Sequence, residues 1–291
     1  MQLMESTWRL QGGRSLTWGQ QTYVMGVLNV TPDSFSDGGQ FNDLTAAIAQ
    51  AQYLVESGAD ILDIGGQSTR PQADIISLSE ELDRVIPVIE ALRAGSSELP
   101  PLSVPISVDT TRSDVARAAI AAGADIVNDI SGGTYDPDML PTVAELGVPV
   151  ILMHLRGTPK TMQQLTNYED LIGEIKAFLQ QQIERSLSLG IAKAHIAIDP
   201  GIGFAKTYDQ NLEILRRLQE FRTLDCPILV GASRKSFIGH ILNQPDPKQR
   251  VWGTAAACCA AIANSADIVR VHDVKEMRDV CRVADAIYRG R

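Results

Sequence analysis

The chain has 291 residues, 44% of them hydrophobic and 21% charged, an ordinary globular composition that excludes wholesale disorder. Its 26 Lys and Arg against 35 Asp and Glu leave a net charge of −9, which argues against a nucleic-acid-coating protein. No run approaches the ~20 apolar residues of a membrane helix and Met1–Gly13 has no apolar secretory core; four cysteines without C-x-x-C spacing read as reduced thiols, so a cytoplasmic protein is expected.

Trp8–Leu10 and Ser15–Trp18, on either side of Gly12–Gly13, predict an N-terminal β-hairpin within residues 1–22. From there, short β-branched-rich runs alternate with stretches of helical spacing. Tyr23–Val30 carries Asn29 at its end, then Thr31–Gly39, before a helix over Leu44–Ser57. Asp60–Ile64 holds Asp63 and empties into Gly65–Pro71, ahead of a helix over Leu78–Arg93. Val104–Val108 ends at Asp109 and Thr110 before Ser113–Ala122, and Ile126–Ile130 bears Asn128 and Asp129 before Pro137–Leu146. Val148–Met153 leads to His154 and Arg156 before Tyr168–Leu189. His195–Ile198 leads to Asp199, Gly201, Gly203 and Phe204 before Asp209–Phe221. Ile228–Val230 is followed by Gly231 and Ser233–Ser236, the opening of a helix, and then by Lys248–Ala263. Ile268–Val271 brings Arg270, His272 and Asp273 ahead of Lys275–Tyr288. Gly58, Gly123, Gly147 and Gly190 sit just past helical patterns, and Asp136 before Pro137 reads as an N-cap.

Eight strand–helix pairs, each strand apolar throughout as if covered on both faces, indicate an α/β protein. The leading architecture is a (β/α)8 TIM barrel occupying 23–291 as one unit behind the hairpin; a doubly wound open sheet is the runner-up, because periodicity does not distinguish closure from an open edge. In a barrel, the polar groups at the carboxyl ends of the strands share one mouth. Asp109 and Asp199 directly follow apolar strands and would point into it. Asp129 and Asp273 serve equally well as helix caps. His195 and His240 read as structural, His154 is open, and His272 beside Arg270 is the functional candidate. Two carboxylates and the Asn128 amide suit the donor–acceptor edge of an amino- and oxo-substituted heterocycle. Arg70, Arg270, His272 and Lys235 are cations suited to phosphate or diphosphate, and the helix opened by Ser233–Ser236 adds anion affinity.

Eight blocks carry a family resemblance: MGVLNVTPDSFSDGG (Met25–Gly39), GGQSTRP (Gly65–Pro71), SVDT (Ser107–Thr110), VNDISGG (Val127–Gly133), MHLRGTP (Met153–Pro159), DPGIGFAKT (Asp199–Thr207), GASRKSFIG (Gly231–Gly239) and RVHDV (Arg270–Val274). In this order, over practically the whole chain, the sequence resembles the dihydropteroate synthases of folate biosynthesis. The resemblance implies condensation of (7,8-dihydropterin-6-yl)methyl diphosphate with 4-aminobenzoate, with Mg2+, giving 7,8-dihydropteroate and diphosphate. It places the pterin diphosphate at Thr69, Asp109, Asn128, Asp199, Lys235, Arg270, Val271 and His272. It places 4-aminobenzoate at Phe35, Thr69, Pro71, Phe204 and Ser236, and the metal at Asn29. Asp109, Lys235 and Arg70 take the catalytic roles, and Thr31–Gly39 and Gly66–Ala73 are expected to close over the substrates.

The resemblance further implies a homodimer, small-molecule substrates and a 4-aminobenzoate site that sulfonamides mimic; with no appended kinase or aldolase segment a monofunctional protein is expected, and charge and hydropathy point to neither nucleic-acid nor membrane partners. Ile202 and Ala205 stand where many members carry Phe and Gly, and Leu155–Arg156 where Met–Gln is frequent. These departures flank the matched polar positions. Two rival readings are a pterin-binding methyltransferase domain, which needs no diphosphate site, and a non-catalytic paralogue, which has no reason to keep Asn29, Arg70, Asp109, Asp199, Lys235 and His272 together.

Overall fold

A computed structural model describes residues 7–31, 39–69, 73–95 and 100–290. Strands β1 (Thr7–Arg9) and β2 (Ser15–Thr17) form the expected antiparallel hairpin, with Trp8 opposite Leu16. Eight parallel strands follow: β3 (Tyr23–Asn29), β4 (Ile61–Gly65), β5 (Ile106–Asp109), β6 (Ile126–Asp129), β7 (Val150–Met153), β8 (Ile196–Asp199), β9 (Leu229–Val230) and β10 (Ile268–Val271). They pair in the order β8-β7-β6-β5-β4-β3-β10-β9. A parallel bridge between Ile198 and Ile228 joins the two outermost strands, and the Ile198 N–H donates to the Pro227 carbonyl at 2.9 Å. That bridge closes the sheet and decides for the barrel over the open sheet.

Helices alternate with the strands: α1 (Gly39–Glu56), α2 (Leu78–Ala94), α3 (Ser113–Ala121), α4 (Met139–Leu146), α5 (Leu171–Ser188), α6 (Tyr208–Arg217), α7 (Ser236–Ile241), α8 (Val251–Ala263) and α9 (Val274–Tyr288). The stretch expected as one helix over Asp209–Phe221 divides, because α6 tightens into a 3-10 turn at Leu218–Leu224. Asp136 does not cap the helix after it. Its carboxylate accepts from the backbone N–H of Ser113 (2.7 Å), the first residue of α3, and from that of Asp138 (2.9 Å), so α4 starts only at Met139. Gly58, Gly123, Gly147 and Gly190 all take positive φ, as expected of helix ends.

Strand side chains alternate between two cores. Val24, Leu62, Val127, Leu152, Ile198 and Val269 belong to a large cluster packed under the helices. Their neighbours Met25, Ile61, Ile126, Ile151, Ala197, Leu229 and Ile268 face the barrel axis, in one cluster with Trp8, Leu10, Leu16 and Trp18 of the hairpin. The hairpin therefore packs on the inward-facing layer of the barrel. Trp18 stands edge-on to Trp8 and Tyr23, with ring centroids 4.9 and 5.4 Å away.

Candidate active site

Two residues beyond each inward apolar side chain the strand faces the axis again, one layer nearer the mouth. Ile61 is thus followed by Asp63, Ile126 by Asn128, Ile151 by Met153, Ala197 by Asp199, Leu229 by Gly231 and Ile268 by Arg270. Asp109 falls into this layer through its register with Gly65 on β4 and Asn128 on β6. At four of these six positions, and at Asp109, the side chain is polar, which makes a largely polar floor above the apolar layer.

Thr69, Asp109, Asn128, Asp199, Phe204, Lys235 and Arg270 line one cavity, its walls completed by Ile130, Met153 and Gly231. Ile130, Met153 and Phe204 also share a small apolar cluster with Leu155, Met162 and Ala205, so a flat ligand would meet an apolar wall and a polar floor. Arg270 is the hub of that floor. Its Nε donates to Asp63 Oδ2 at 2.6 Å and its Nη2 to Asp109 Oδ2 at 2.7 Å. Asn128 Nδ2 donates to the same Asp63 oxygen at 3.1 Å. Lys235, the N-cap residue of α7, places its Nζ 4.0 Å above the Phe204 ring.

Burial displaces the protonation of these groups. Asp109 is raised to about 7, first by desolvation and then by Asp63, Glu81 and Asp129, against the opposing pull of Arg270. Asp199 is raised to about 6 by burial, although the Gly201 N–H, Lys235, Lys206 and Arg270 all favour its charged form. Lys235 is lowered to about 8 by burial and the Arg270 charge, with Asp199 and Asp109 working the other way. Arg270 is held firmly protonated: desolvation would lower it, but Asp63 and Asp109 outweigh that. Perturbed carboxylates and cations around one cavity mark a functional site.

The other residues named from the sequence fall as follows. His272 stands beside Ser233, whose hydroxyl accepts from the His272 backbone N–H at 3.2 Å and lies 3.1 Å from its Nδ1. Ser236 is exposed at the first turn of α7, and Asn29 closes β3 opposite Gly65. Val271 packs in the helix-facing core, because it is one residue out of phase with Arg270 on the same strand, so its side chain does not reach the cavity. Phe35, Arg70 and Pro71 lie outside the described residues, as does most of the two segments expected to close. Asp129 proves structural: it accepts from Ser131 N and Oγ and from Gly133 N at 2.7–2.8 Å, tying the turn after β6. Asp273 precedes α9 without capping it, its carboxylate being taken by the Arg234 guanidinium. That pair steadies the loop holding Lys235, as does Arg250, whose Nη1 donates to the Arg234 carbonyl at 2.9 Å.

Three participants had been given no role from the sequence. Asp63 sits in the floor itself, and the alternation from Ile61 was the signal for it. Lys206, almost fully buried, donates to the Phe204 carbonyl at 2.9 Å and lies 3.1 Å from His154 Nδ1, and so ties the loop after β8 to the one after β7. His154, whose role the sequence left open, donates its backbone N–H to the Asp199 carbonyl at 2.9 Å. Its ring is neutral, with burial and the Lys206 charge holding its pKa down to about 2. The departures from the family pattern are accommodated locally: Ile202 and Leu155 are buried in apolar clusters, and Arg156 lies over the Tyr168 ring at 3.8 Å and pairs with Glu174. Ala205 takes a positive φ of 51°, which explains why glycine suits that position.

A model of the pterin binding enzyme family matches residues 25–272, from β3 through the end of β10. The dihydropteroate synthase of Synechocystis sp. is 59% identical over 272 residues, covering 94% of this chain and 92% of its own. The chain belongs to the dihydropteroate synthase family. Two solved structures of the Xanthomonas albilineans enzyme superpose on the whole architecture. The one with 4-aminobenzoic acid has a TM-score of 0.89 at 42% identity and covers 98% of each chain. The one in complex with 7,8-dihydropteroate has a TM-score of 0.84 at 41% identity, covering 94% of this chain and 96% of that one. Among the described residues no helix is long and apolar enough to cross a membrane.

Proposed function

We infer that this chain catalyses the dihydropteroate synthase reaction of folate biosynthesis, joining (7,8-dihydropterin-6-yl)methyl diphosphate to 4-aminobenzoate. The observation that carries the reading is the convergence of Asp109, Asn128, Asp199, Lys235 and Arg270 on one cavity. In it, Asp199 and Asn128 accept from the amino and ring N–H groups of the pterin, while Met153 and Phe204 cover its faces. Thr69, Arg70 and His272 meet the diphosphate, with the Arg270 charge behind them.

The methylene C–O bond breaks with its electron pair leaving on diphosphate. The resulting pterin methylene cation is stabilised at short range by Asp109. The arylamine nitrogen then attacks the methylene carbon and gives up a proton. This course needs no protein nucleophile. The 4-aminobenzoate lies along Phe204 beside Phe35, Thr69 and Pro71, with its carboxylate at Ser236 and the start of α7. Sulfonamides, which mimic it, are expected to compete for the same place.

Mg2+ belongs to this reading in the form it takes with phosphate substrates, held by one protein ligand, substrate oxygens and water. The described residues contain no cluster of three or more His, Cys, Asp or Glu able to hold a metal, and the lone amide of Asn29 at the mouth suits that mode. Bound there with the diphosphate, the ion would neutralise charge on the departing group. The reading also includes a cytoplasmic location and a homodimer, the latter supported by the apolar side chains exposed on α8 and α9: Trp252 at 76%, Ile287 at 66% and Val283 at 61%.

The test is to supply the purified protein with the pterin diphosphate, 4-aminobenzoate and Mg2+ and to measure dihydropteroate. Product formation is expected. Binding of 5-methyltetrahydrofolate without product would favour the methyltransferase reading, and pterin binding without turnover the non-catalytic one.

A further inference from the structure

Asp63 shares the polar layer with Asn128 and Arg270 but does not line the cavity, and it is fully buried. A carboxylate is costly in so buried a place, directly above the apolar layer that holds Ile61 on the same face. Its neighbours do not saturate it either. Oδ2 accepts both Asn128 Nδ2 and Arg270 Nε, while Oδ1 is buried with no partner among the described residues, as is the hydroxyl of Ser107, its register partner on β5. An orphaned buried oxygen weakens the fold, so stability is a poor explanation for the residue.

Its effect on Asn128 is a better one. A carboxylate only accepts, so Asn128 must turn its NH2 group down to Asp63. The Asn128 carbonyl oxygen is then the atom left for a ligand. Rotated by 180°, the same amide would offer a donor to the cavity and set its carbonyl against a carboxylate.

We propose that Asp63 is a positioning residue that locks the Asn128 amide with its carbonyl toward the cavity and thereby sets the donor–acceptor pattern the site reads in a heterocycle. With Asn128 locked, Asp109, Asp199 and Asn128 all present acceptors. The site then selects rings bearing donors along that edge and disfavours analogues that carry an acceptor opposite Asn128. This rests on the pterin reading given above and adds to it the residue that fixes the recognition code.

The test compares binding of 6-hydroxymethylpterin and of the corresponding 2,4-diaminopteridine to wild type, Asp63→Asn and the Asp63→Asn/Asn128→Asp exchange. An amide in place of the Asp63 carboxylate can donate to the Asn128 carbonyl oxygen and release the lock. Asp63→Asn is expected to lose about tenfold or more in pterin affinity and to narrow its preference over the diamino analogue. The exchange swaps the two groups, so that the new amide donates to the new carboxylate above it and an acceptor again faces the cavity. It is expected to recover both affinity and preference. Asp63→Asn with wild-type affinity and preference would overturn the proposal, as would an exchange variant no better than the single one.

If Asp63→Asn does not fold, Asn128→Asp alone decides. Two facing carboxylates must share a proton, so pterin affinity should fall steeply between pH 5 and pH 8; a flat profile at wild-type affinity would overturn the proposal. Turnover by the wild type in the same preparation separates these outcomes from failure of the pterin reading, under which the wild type would bind neither ring.

Discussion

Replacing Arg270 by Met removes the cation shared by Asp63 and Asp109 while keeping comparable bulk. Breaking a buried ion pair by deleting one partner costs about 3–5 kcal/mol, because the remaining charge is stranded. Here the cost should depend on pH, and its sign follows from Asp109. That group has a folded pKa of about 7 against 3.8 for a free Asp side chain, so its contribution to stability is full below pH 4 and is lost as pH rises through 7. The wild type therefore loses stability from this group as pH rises from 5 to 7 and little more by pH 8. Without Arg270, the chief influence lowering it, the pKa moves further up and the loss continues beyond pH 7. The variant's deficit should therefore be larger at pH 8 than at pH 5, by on the order of 1 kcal/mol. At about 2–4 °C per kcal/mol, the full deficit is on the order of 10 °C at pH 8. Urea unfolding and thermal melts of both proteins at pH 5 and pH 8 measure it. A deficit equal at the two pH values, or larger at pH 5, would refute the reasoning.

Asp199→Asn should abolish measurable pterin binding by calorimetry while shifting the melting temperature by only a few degrees. In the wild type, pterin affinity should fall as pH drops from neutrality through about 6, where Asp199 takes up a proton; rising affinity on acidification would contradict the assignment. Lys206→Met leaves the Phe204 carbonyl and His154 Nδ1 without their shared partner and should cost about 1–3 kcal/mol. Because Phe204 moves with that loop, steady-state kinetics should show KM for 4-aminobenzoate rising more than pterin Kd. Trp18→Ala empties the hairpin's contact with the barrel interior and should cost about 3–5 kcal/mol in urea unfolding with kcat nearly unchanged, since the site lies at the opposite end of the strands.

Much of this molecule could be read along the chain. Residues such as Ile196–Ile198 and Ile268–Val271 are apolar with little interruption because helices cover one face and the barrel core the other, and that local composition announces a parallel strand wherever it occurs. Asp109, Asn128, Asp199 and Arg270 were legible for a related reason: a polar residue at the end of such a strand has few places to go except the mouth. Closure was not legible, because it depends on the Ile198–Ile228 bridge between strands that a local pattern cannot pair. Nor were the partners of the site legible. Val271 and Arg270 are neighbours in sequence and lie on opposite faces, while Asp63 and Arg270 are 207 positions apart and in contact. Sequence period alone determined which residues could face the axis. Only the stagger between strands decided which of them meet, because hydrogen-bond register, a property of chain pairs, sets the height at which each side chain enters the barrel.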